Sequence, residues 1–244
     1  MNFETEYNKE VLDLWKKHNP PNPLIPKQIG QYNINAEVLF VGMNPSFSES
    51  KMDKYFASEN CENQKLKNQK SSQLFALEGP NFDRRVELIR EYEGAANNHT
   101  YNNYFGLFDP FIIKCGYSSK CWEHLDLFIM RGTTQNKENK LIYDKNKLND
   151  FGKDQVNLFF KSIKKTNHKL VIVFNSEASK IIYKELKNIK ISDELGSLDD
   201  SKDIESYIDA DNKRYYFSSM LTSGRLDIFS RQRLINEIRS FSKK

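Results

Sequence analysis

Two short apolar segments constrain the fold of this chain more than any other feature. The strand candidate at residues 37–41, closed by Gly42, contains four consecutive apolar residues, and the candidate at residues 169–174 contains five. A strand that is apolar on successive residues, rather than on alternate ones, is typical of a parallel sheet covered on both faces. Further strand candidates lie at residues 124–130 and 214–220. We therefore expect a central parallel sheet built from these segments.

Helical segments separate the strand candidates. Apolar periodicity and helix-start and helix-stop residues predict helices at residues 2–17, 82–92, 102–113, 175–185 and 228–241. Residues 46–73 are polar and have little periodicity, so they are predicted to form a long excursion or a mobile loop. Because parallel neighbours need crossover connections, the alternation predicts an α/β fold, with a central mainly parallel sheet flanked by helices on both faces.

Length and charge limit the class of protein. The 244 residues fit one domain, which we expect to span residues 1–244 with an N-terminal helical extension at residues 1–34. The formal net charge of +4 permits a polyanionic partner but does not require one. No apolar run approaches the roughly 20 residues of a membrane span, and the N-terminus lacks the basic start and apolar stretch of a signal peptide. We expect a cytoplasmic monomer without a membrane partner.

The cysteines and histidines do not support a disulfide framework or a metal site. The three cysteines lack paired C-x-x-C spacing, and the four histidines are scattered without i, i+4 pairing. The glycine-rich strings that hold phosphates in many nucleotide-binding proteins do not occur either. The sequence therefore predicts neither a metal nor a cofactor.

Three loops are expected to converge on one site. Ligands of open parallel α/β sheets bind beyond the carboxyl ends of the strands. The loops that follow strand candidates at that edge are residues 42–47, 131–134 and 221–225. Candidate functional residues should therefore be sought in these three segments.

The first loop carries the most specific motif. The string V-L-F-V-G-M-N-P-S at residues 38–46 resembles the first motif of the uracil-DNA glycosylase superfamily, especially of its mismatch-specific and single-strand-selective branches. Gly42 lets the backbone turn close to a ligand, and Pro45 stiffens the turn. The resemblance implies that Asn44 orients an attacking water, while backbone N–H groups around Met43 donate to the base. The alternative is a β-turn without chemistry.

Residues around this turn are the expected substrate contacts. They are Gly42, Met43, Pro45, Ser46 and Phe47. Phe47 has two interpretations, because an aromatic face can stack on an extruded base and a phenylalanine can equally belong to the core.

A second similarity lies at residues 126–131. In the superfamily a central strand ends near an asparagine that reads the base edge, with a basic residue a few positions on, and Asp126 occupies the matching place before Arg131. An ionised aspartate only accepts hydrogen bonds, so it would prefer a base edge rich in N–H groups. Uracil is then not necessarily the best substrate. The alternative is an Asp126 that caps a turn or pairs with Arg131.

The third similarity is the segment of residues 217–225 with residues 229–231 after it. It resembles the superfamily's closing motif, a His-Pro-Ser strand end, then a wedge-like residue, then a helix that begins with a Phe-Ser-like pair. No histidine lies in residues 214–244, so the donor that stabilises the leaving base is missing or comes from elsewhere. Leu221 would be the wedge that enters the duplex, although a plain strand-to-helix turn is the alternative. The expected DNA contacts are Ser219, Leu221, Thr222, Ser223, Gly224 and Arg225.

The resemblance implies a monofunctional DNA glycosylase. Such an enzyme hydrolyses the bond between a deaminated or modified base and deoxyribose, here with Asn44 positioning water and single- or double-stranded DNA as partner. Fold does not fix function, and the closing histidine is absent, so a second hypothesis is a protein of the same fold that binds nucleic acid or a nucleotide without cleaving it. A third is an unrelated α/β enzyme that acts on a small nucleotide.

Overall fold

The computed structural model describes residues 2–61, 63–96, 102–132, 140–145, 147–192, 197–198, 206–209, 211–221 and 225–242. Its helices are α1 (Phe3–His18), α2 (Glu49–Phe56), α3 (Ser71–Leu74), α4 (Phe82–Ala96), α5 (Asn102–Phe105), α6 (Phe108–Lys114), α7 (Asp150–Lys164), α8 (Ser176–Ser192) and α9 (Ile228–Ser242). Its strands are β1 (Val38–Gly42), β2 (Trp122–Asp126), β3 (Tyr143–Asp144), β4 (Lys147–Leu148), β5 (Leu170–Phe174), β6 (Ser197–Leu198), β7 (Ser206–Ile208) and β8 (Arg214–Ser218).

The chain divides into two compact units. The first, called the helical unit, consists of Met1–Tyr32, Asn44–Asn102 and Phe128–Ser162. The second, called the sheet unit, consists of Asn33–Met43, Asn103–Leu127 and Ile163–Lys244. A single domain over residues 1–244 stays a prediction. Among the helices that the structure describes, none is long and apolar enough to cross a membrane.

The sheet unit is built on a mainly parallel sheet. The strand order is β2-β1-β5-β8-β7-β6 among the described residues. The first four strands run parallel, and β7 and β6 are added as antiparallel neighbours at one side. The predicted α/β fold with a mainly parallel central sheet is therefore confirmed.

Burial explains why the two apolar segments form the middle of this sheet. All residues of β1 and β5 are buried, so side chains on both faces of these strands are removed from water. On one face the ring of Phe40 lies 4.1 Å from that of Phe108 and 5.4 Å from that of Phe174, measured between centroids. Each such phenylalanine contributes about 1.5–3 kcal/mol through burial. This aromatic layer supports the strand that leads into Gly42.

The helices of the sheet unit begin where local sequence favours a helix start. The side chain of Asn175 accepts hydrogen bonds from the backbone N–H groups of Glu177 (3.0 Å) and Ala178 (3.1 Å), which caps α8 as predicted. The single helix predicted at residues 102–113 is wrong, because α5 and α6 are separate. Pro110 lies in the first turn of α6, where its missing N–H has no helical partner to lose.

The helical unit contains α1 to α4, most of α7 and the β3–β4 hairpin. Asn2 caps the start of α1, because its side chain accepts a hydrogen bond from the backbone N–H of Thr5 (2.9 Å). Asn19, in the left-handed conformation, caps its end. Its Trp15 packs edge-to-face on Phe151, with ring centroids 5.8 Å apart. The N-terminal helix predicted from apolar spacing is confirmed.

Residues 46–73 were predicted to form a long excursion or a mobile loop, and the mobile loop is wrong for the described part of this segment. They contain α2 and the start of α3, and Met52, Phe56 and Leu66 are buried in one apolar cluster with Phe75. The apolar side chains of this segment are unevenly spaced, so helical periodicity does not reveal them. Burial of several large side chains makes the segment part of the core of the helical unit.

Candidate functional site

The parallel strands of the sheet unit end at one edge. Gly42 ends β1 and Asp126 ends β2, and the two residues are directly paired in the parallel register. Ligands of this kind of sheet bind at that carboxyl edge. Four residues here, Gly42, Tyr104, His124 and Asp126, are called the strand-edge cluster below. They form the candidate site of the sheet unit.

Gly42 is required because the Asp126 carboxylate occupies the space of a side chain. A Cβ atom built on Gly42 would lie closer than 3.0 Å to Asp126 Oδ1 and 3.1 Å from His124 Nε2. The backbone carbonyl of Gly42 also accepts a hydrogen bond from the N–H of Leu127 (3.0 Å). The sequence motif therefore has a physical basis in this strand pair, where a carboxylate lies against bare backbone.

His124 lies beside this carboxylate and was not identified as a site residue from the sequence. Strand alternation places His124 and Asp126 on the same face of β2, and His124 Nε2 is 3.7 Å from Asp126 Oδ1. The imidazole ring contacts Phe105 and Phe108, with centroids 5.0 and 6.1 Å away. The only sequence signal was the i, i+2 spacing of a histidine and an aspartate in a strand that was predicted to begin at residue 124.

Tyr104 completes the cluster and responds to its charge. Its ring meets the His124 ring edge-to-face at 5.9 Å, and part of the residue remains exposed. Burial, together with the negative charge of Asp126, raises the pKa of Tyr104 far above its usual range. The phenol is therefore protonated at physiological pH and can donate a hydrogen bond.

The chemistry available at the strand-edge cluster is hydrogen-bond recognition and proton handling. Asp126 supplies acceptors, Tyr104 supplies an O–H donor, and His124 can do either according to its tautomer. A buried carboxylate is unfavourable unless it is paired or hydrogen-bonded, so a carboxylate at a strand end beside a histidine is a functional candidate. Among the described residues, no group of three or more His, Cys, Asp or Glu side chains could hold a metal ion.

The turn after β1 is held within the helical unit by backbone contacts. The carbonyl of Pro45 accepts from the N–H of Gly132 (3.2 Å), and the N–H of Phe47 donates to the carbonyl of Gly132 (2.9 Å). Ser46 forms an isolated parallel bridge with Gly132. The predicted proximity of the first two loops is therefore confirmed for residues 45–47 and 132, while residues 133–134 lie outside the described residues.

Burial differs sharply along this turn. Met43 and Pro45 are buried, Asn44 between them is partly exposed, and Ser46 is exposed. Asn44 thus lies between two buried neighbours and remains partly exposed itself. The turn therefore leaves two polar residues, Asn44 and Ser46, in contact with solvent.

Phe47 belongs to the core of the helical unit. It is 5% exposed, and its ring packs edge-to-face on Phe75 at 5.4 Å between centroids. The expectation of a substrate contact by ring stacking is corrected, because this ring is buried in an apolar cluster. The core alternative accounts for the residue.

Arg131 supports the segment that holds the turn. Its guanidinium forms an ion pair with Glu93, donates to the carbonyl of Ile25 (3.0 Å) and lies over the Phe75 ring. Lys27 Nζ binds the other oxygen of Glu93 at 3.0 Å. Burial opposes ionisation of Glu93, but the two cations outweigh it and lower the pKa of Glu93. Arg131 thus has a structural role beside Gly132.

The closing segment differs from the expected wedge. Leu221 is 3% exposed, and its carbonyl accepts from the Arg231 guanidinium, so a Leu221 wedge that projects toward DNA is corrected. Thr222, Ser223 and Gly224 lie outside the described residues. Ser219 Oγ donates to the carbonyl of Arg225 (2.6 Å), which brings these two predicted DNA contacts together, and Arg225 is exposed.

Large exposed apolar side chains lie a few residues further on. Ile228 is 81% exposed and Phe229 is 79% exposed, both in the first turn of α9. The side chain of Asp227 accepts from the backbone N–H groups of Phe229 (2.9 Å) and Ser230 (3.0 Å), which fixes this helix start. The sequence placed Ile228 and Phe229 at the start of this helix but did not identify them as exposed, because amphipathic spacing does not distinguish an exposed first turn from a buried one.

The two candidate groups are consecutive in the chain. Strand β1 contributes Gly42 to the strand-edge cluster and continues through Met43 into Asn44, where the turn begins. Asp126 is likewise followed within six residues by Gly132, which holds the turn. The chain matches no known protein-family model, and no curated protein matches its sequence.

Proposed function

We propose that this chain is a hydrolase that cleaves the N-glycosidic bond between a deaminated or modified base and the sugar in DNA. The observation that carries the proposal is the Gly42 backbone, which ends a buried parallel strand against the carboxylate of Asp126 and leads directly into a partly exposed Asn44. The resemblance of residues 38–46 to the first motif of the uracil-DNA glycosylase superfamily supports the same activity. We propose the three-layer fold of that superfamily as well.

In the proposed reaction a water molecule replaces the base at the anomeric carbon. The bond between that carbon and the base nitrogen breaks, and the base leaves with the bonding electrons. A bond to the water oxygen forms, and the proton that the water gives up passes, directly or through solvent, to the departing base. Oxocarbenium-like charge develops on the sugar and negative charge on the base. Asn44 orients the water, and N–H groups around Met43 donate to the departing base.

DNA contacts in this proposal come from the segment after β8. Arg225 is exposed and can approach a phosphate, and Ser219 is hydrogen-bonded to its carbonyl. Ile228 and Phe229 offer apolar surface on which a base can stack. These residues take the role that was first expected of Leu221.

A second function is favoured by one specific observation. No histidine lies in residues 214–244 to stabilise a leaving base, and loss of one such donor costs on the order of a hundredfold to a thousandfold in rate. A protein of this fold that binds nucleic acid without cleaving it would tolerate that loss. Salt-sensitive DNA binding without base release would support this second function.

The decisive test compares the wild type with Asn44→Ala. Single-stranded and duplex oligonucleotides carry uracil, hypoxanthine, xanthine, 5-hydroxymethyluracil or a 5-substituted cytosine, and alkali cleaves any abasic site formed. We expect Asn44→Ala to reduce release by on the order of a hundredfold or more, because the water loses its orienting group. The matched control Asn236→Ala changes an exposed asparagine on α9 and should retain full activity. Release that is unchanged in Asn44→Ala would refute the assigned role.

A further inference from the structure

The start of α9 carries a surface that is both apolar and basic. Ile228 is 81% exposed and Phe229 is 79% exposed, and the exposed residues Arg225 and Arg233 lie on either side of them in the sequence. These four residues are called the α9 surface below. Resting on the proposed function, we propose that the α9 surface binds unpaired bases of single-stranded DNA close to the target nucleotide. The protein would then select single strands over duplex DNA.

The apolar pair is held in a defined position. The side chain of Asp227 accepts hydrogen bonds from the backbone N–H groups of Phe229 (2.9 Å) and Ser230 (3.0 Å), so the protein itself caps this helix start. A ligand therefore meets the side chains of Ile228 and Phe229. Among the described residues, no other large apolar side chain is as exposed as these two. Contact with a flat apolar partner would remove both from water.

The charge of the C-terminal segment fits a polyanionic partner. Residues 221–244 contain six basic and two acidic residues, so this segment has a net charge of +4, which equals the net charge of the entire chain. The rest of the chain is therefore balanced in charge. Arg233 follows Phe229 by four residues, a spacing that places both on one face of α9. A phosphate can approach the guanidinium of Arg233 while the neighbouring base contacts the ring of Phe229.

The α9 surface follows the same edge of the sheet at which Gly42 ends β1. The register of β1, β5 and β8 brings Gly42 and Ser218 to the same level, and only β5 lies between their strands. At the usual spacing of neighbouring strands, the two strand ends are about 10 Å apart. Ser219 Oγ donates to the carbonyl of Arg225 (2.6 Å), which keeps the start of the α9 surface near the end of β8. A single strand with its target near Gly42 can therefore place a base a few nucleotides away on this surface.

An unpaired base fits this combination of groups better than a duplex or a membrane does. Every base has a flat face that stacks on aromatic side chains, whereas in a duplex these faces are covered by the neighbouring base pairs. A helix that lies on a membrane has an apolar face along its length. The residues that follow on the exposed side of α9 are instead polar, namely Gln232, Arg233 and Asn236.

The test measures the binding of three fluorescein-labelled probes by fluorescence anisotropy. The first is a single-stranded oligonucleotide with ordinary bases, the second is a duplex of the same sequence, and the third is a single strand of the same length with tetrahydrofuran abasic sites throughout. We expect the wild type to bind the first probe on the order of tenfold more tightly than either of the others. Equal or tighter binding of the duplex or of the abasic strand would overturn the inference, as would no binding of any probe.

Two kinds of variant separate stacking from charge. The double variant Ile228→Ser, Phe229→Ser should bind the base-containing strand as weakly as the abasic strand, with binding of the abasic strand unchanged. Arg233→Gln should weaken binding of both strands alike and reduce the steepness of their salt dependence by about 0.7 in log–log slope. The matched control Ile113→Ser changes an exposed apolar side chain on α6 and should leave all affinities unchanged. A base preference that persists in the double variant, or that is lost in the control, would refute the inference.

These measurements also separate this inference from the proposed hydrolysis, because the probes contain no modified base and binding does not depend on base release. A single-strand preference in a protein that releases no base would refute the hydrolase and leave that preference in place. Equal base release from single strands and duplexes, unchanged in the double variant, would support the hydrolase and overturn the inference. Co-sedimentation with phosphatidylserine vesicles that the double variant loses, without a base preference in DNA binding, would overturn it in favour of a membrane.

Discussion

Substitution of Gly42 by alanine tests the central geometry without reference to function. The new methyl group would approach Asp126 Oδ1 closer than 3.0 Å, a separation that real Cβ atoms essentially never show. Gly42 does not have a φ angle in the left-handed region, so alanine causes no backbone strain here. The cost of Gly42→Ala should therefore arise mainly from the contact between the methyl group and the Asp126 carboxylate, with a smaller share from His124 Nε2 at 3.1 Å.

The magnitude follows from two opposing effects. Overpacking a buried site costs about 1–3 kcal/mol. Replacing glycine with alanine restricts the unfolded chain, which stabilises the protein by about 0.4–1 kcal/mol. The expected net loss is roughly 1–2 kcal/mol, which lowers the melting temperature by about 2 to 8 °C for a chain of this size. In an Asp126→Ala background the main clash is removed and only the 3.1 Å approach to His124 Nε2 remains, so the same substitution should be close to neutral.

A double-mutant cycle tests whether the cost of Gly42→Ala comes from the contact with Asp126. Thermal unfolding followed by circular dichroism is measured for the wild type, Gly42→Ala, Asp126→Ala and the double variant. We expect a coupling free energy of about 1–3 kcal/mol between the two positions, as contacting residues show. Additive effects, with Gly42→Ala equally harmful in both backgrounds, would refute the assignment of the carboxylate to the space above Gly42.

Two other predictions concern regions outside this cluster. Glu93→Gln should destabilise the protein by about 3–5 kcal/mol, because Arg131 and Lys27 lose their buried counter-charge. The pKa of Glu93 in the folded protein lies below its usual 4.5, so its contribution to stability is complete above pH 4.5 and is lost as the pH falls through the lowered pKa. Urea unfolding measured at several pH values should therefore show this acid-induced loss of stability in the wild type and not in Glu93→Gln. Phe229→Ala should weaken single-strand binding about fivefold or more in fluorescence anisotropy, since base stacking contributes about 1–3 kcal/mol. Ile113→Ala, also on an exposed apolar residue, is its control, and equal effects would contradict the assignment.

The framework of the sheet could be predicted because its physical signal is local. Every residue of β1 and β5 is buried, and uninterrupted apolar segments reveal such strands directly. The helix cap at Asn175 and the start of α9 at Ile228 could also be predicted, because each is determined by residues that are close in sequence. Strand β2 was predicted at residues 124–130 but lies at Trp122–Asp126. The residues after Asp126 have the apolar composition of a buried strand, although they are no longer part of the sheet.

The candidate site could be predicted only in part because its contacts are non-local. Gly42 and Asp126 were identified individually, but the contact between them depends on the parallel register of β1 and β2. His124 could be associated with them only once that register was known. Phe47 and Leu221 were assigned to ligands although both are buried, because burial of a loop residue depends on distant segments of the chain. Sequence patterns predict such strands better than they predict which loop side chains reach solvent.

The parallel register of β1 and β2 also limits how this protein can evolve. His124 and Asp126 share a face because they are two residues apart, and Phe40 and Gly42 meet them in the same order on the neighbouring strand. Deletion or insertion of one residue in β2 would exchange that face for Glu123 and Leu125 in a single step. Related proteins are therefore expected to vary the chemistry of this edge by substitution while keeping the length of β2 constant, and to accommodate length changes in the loops.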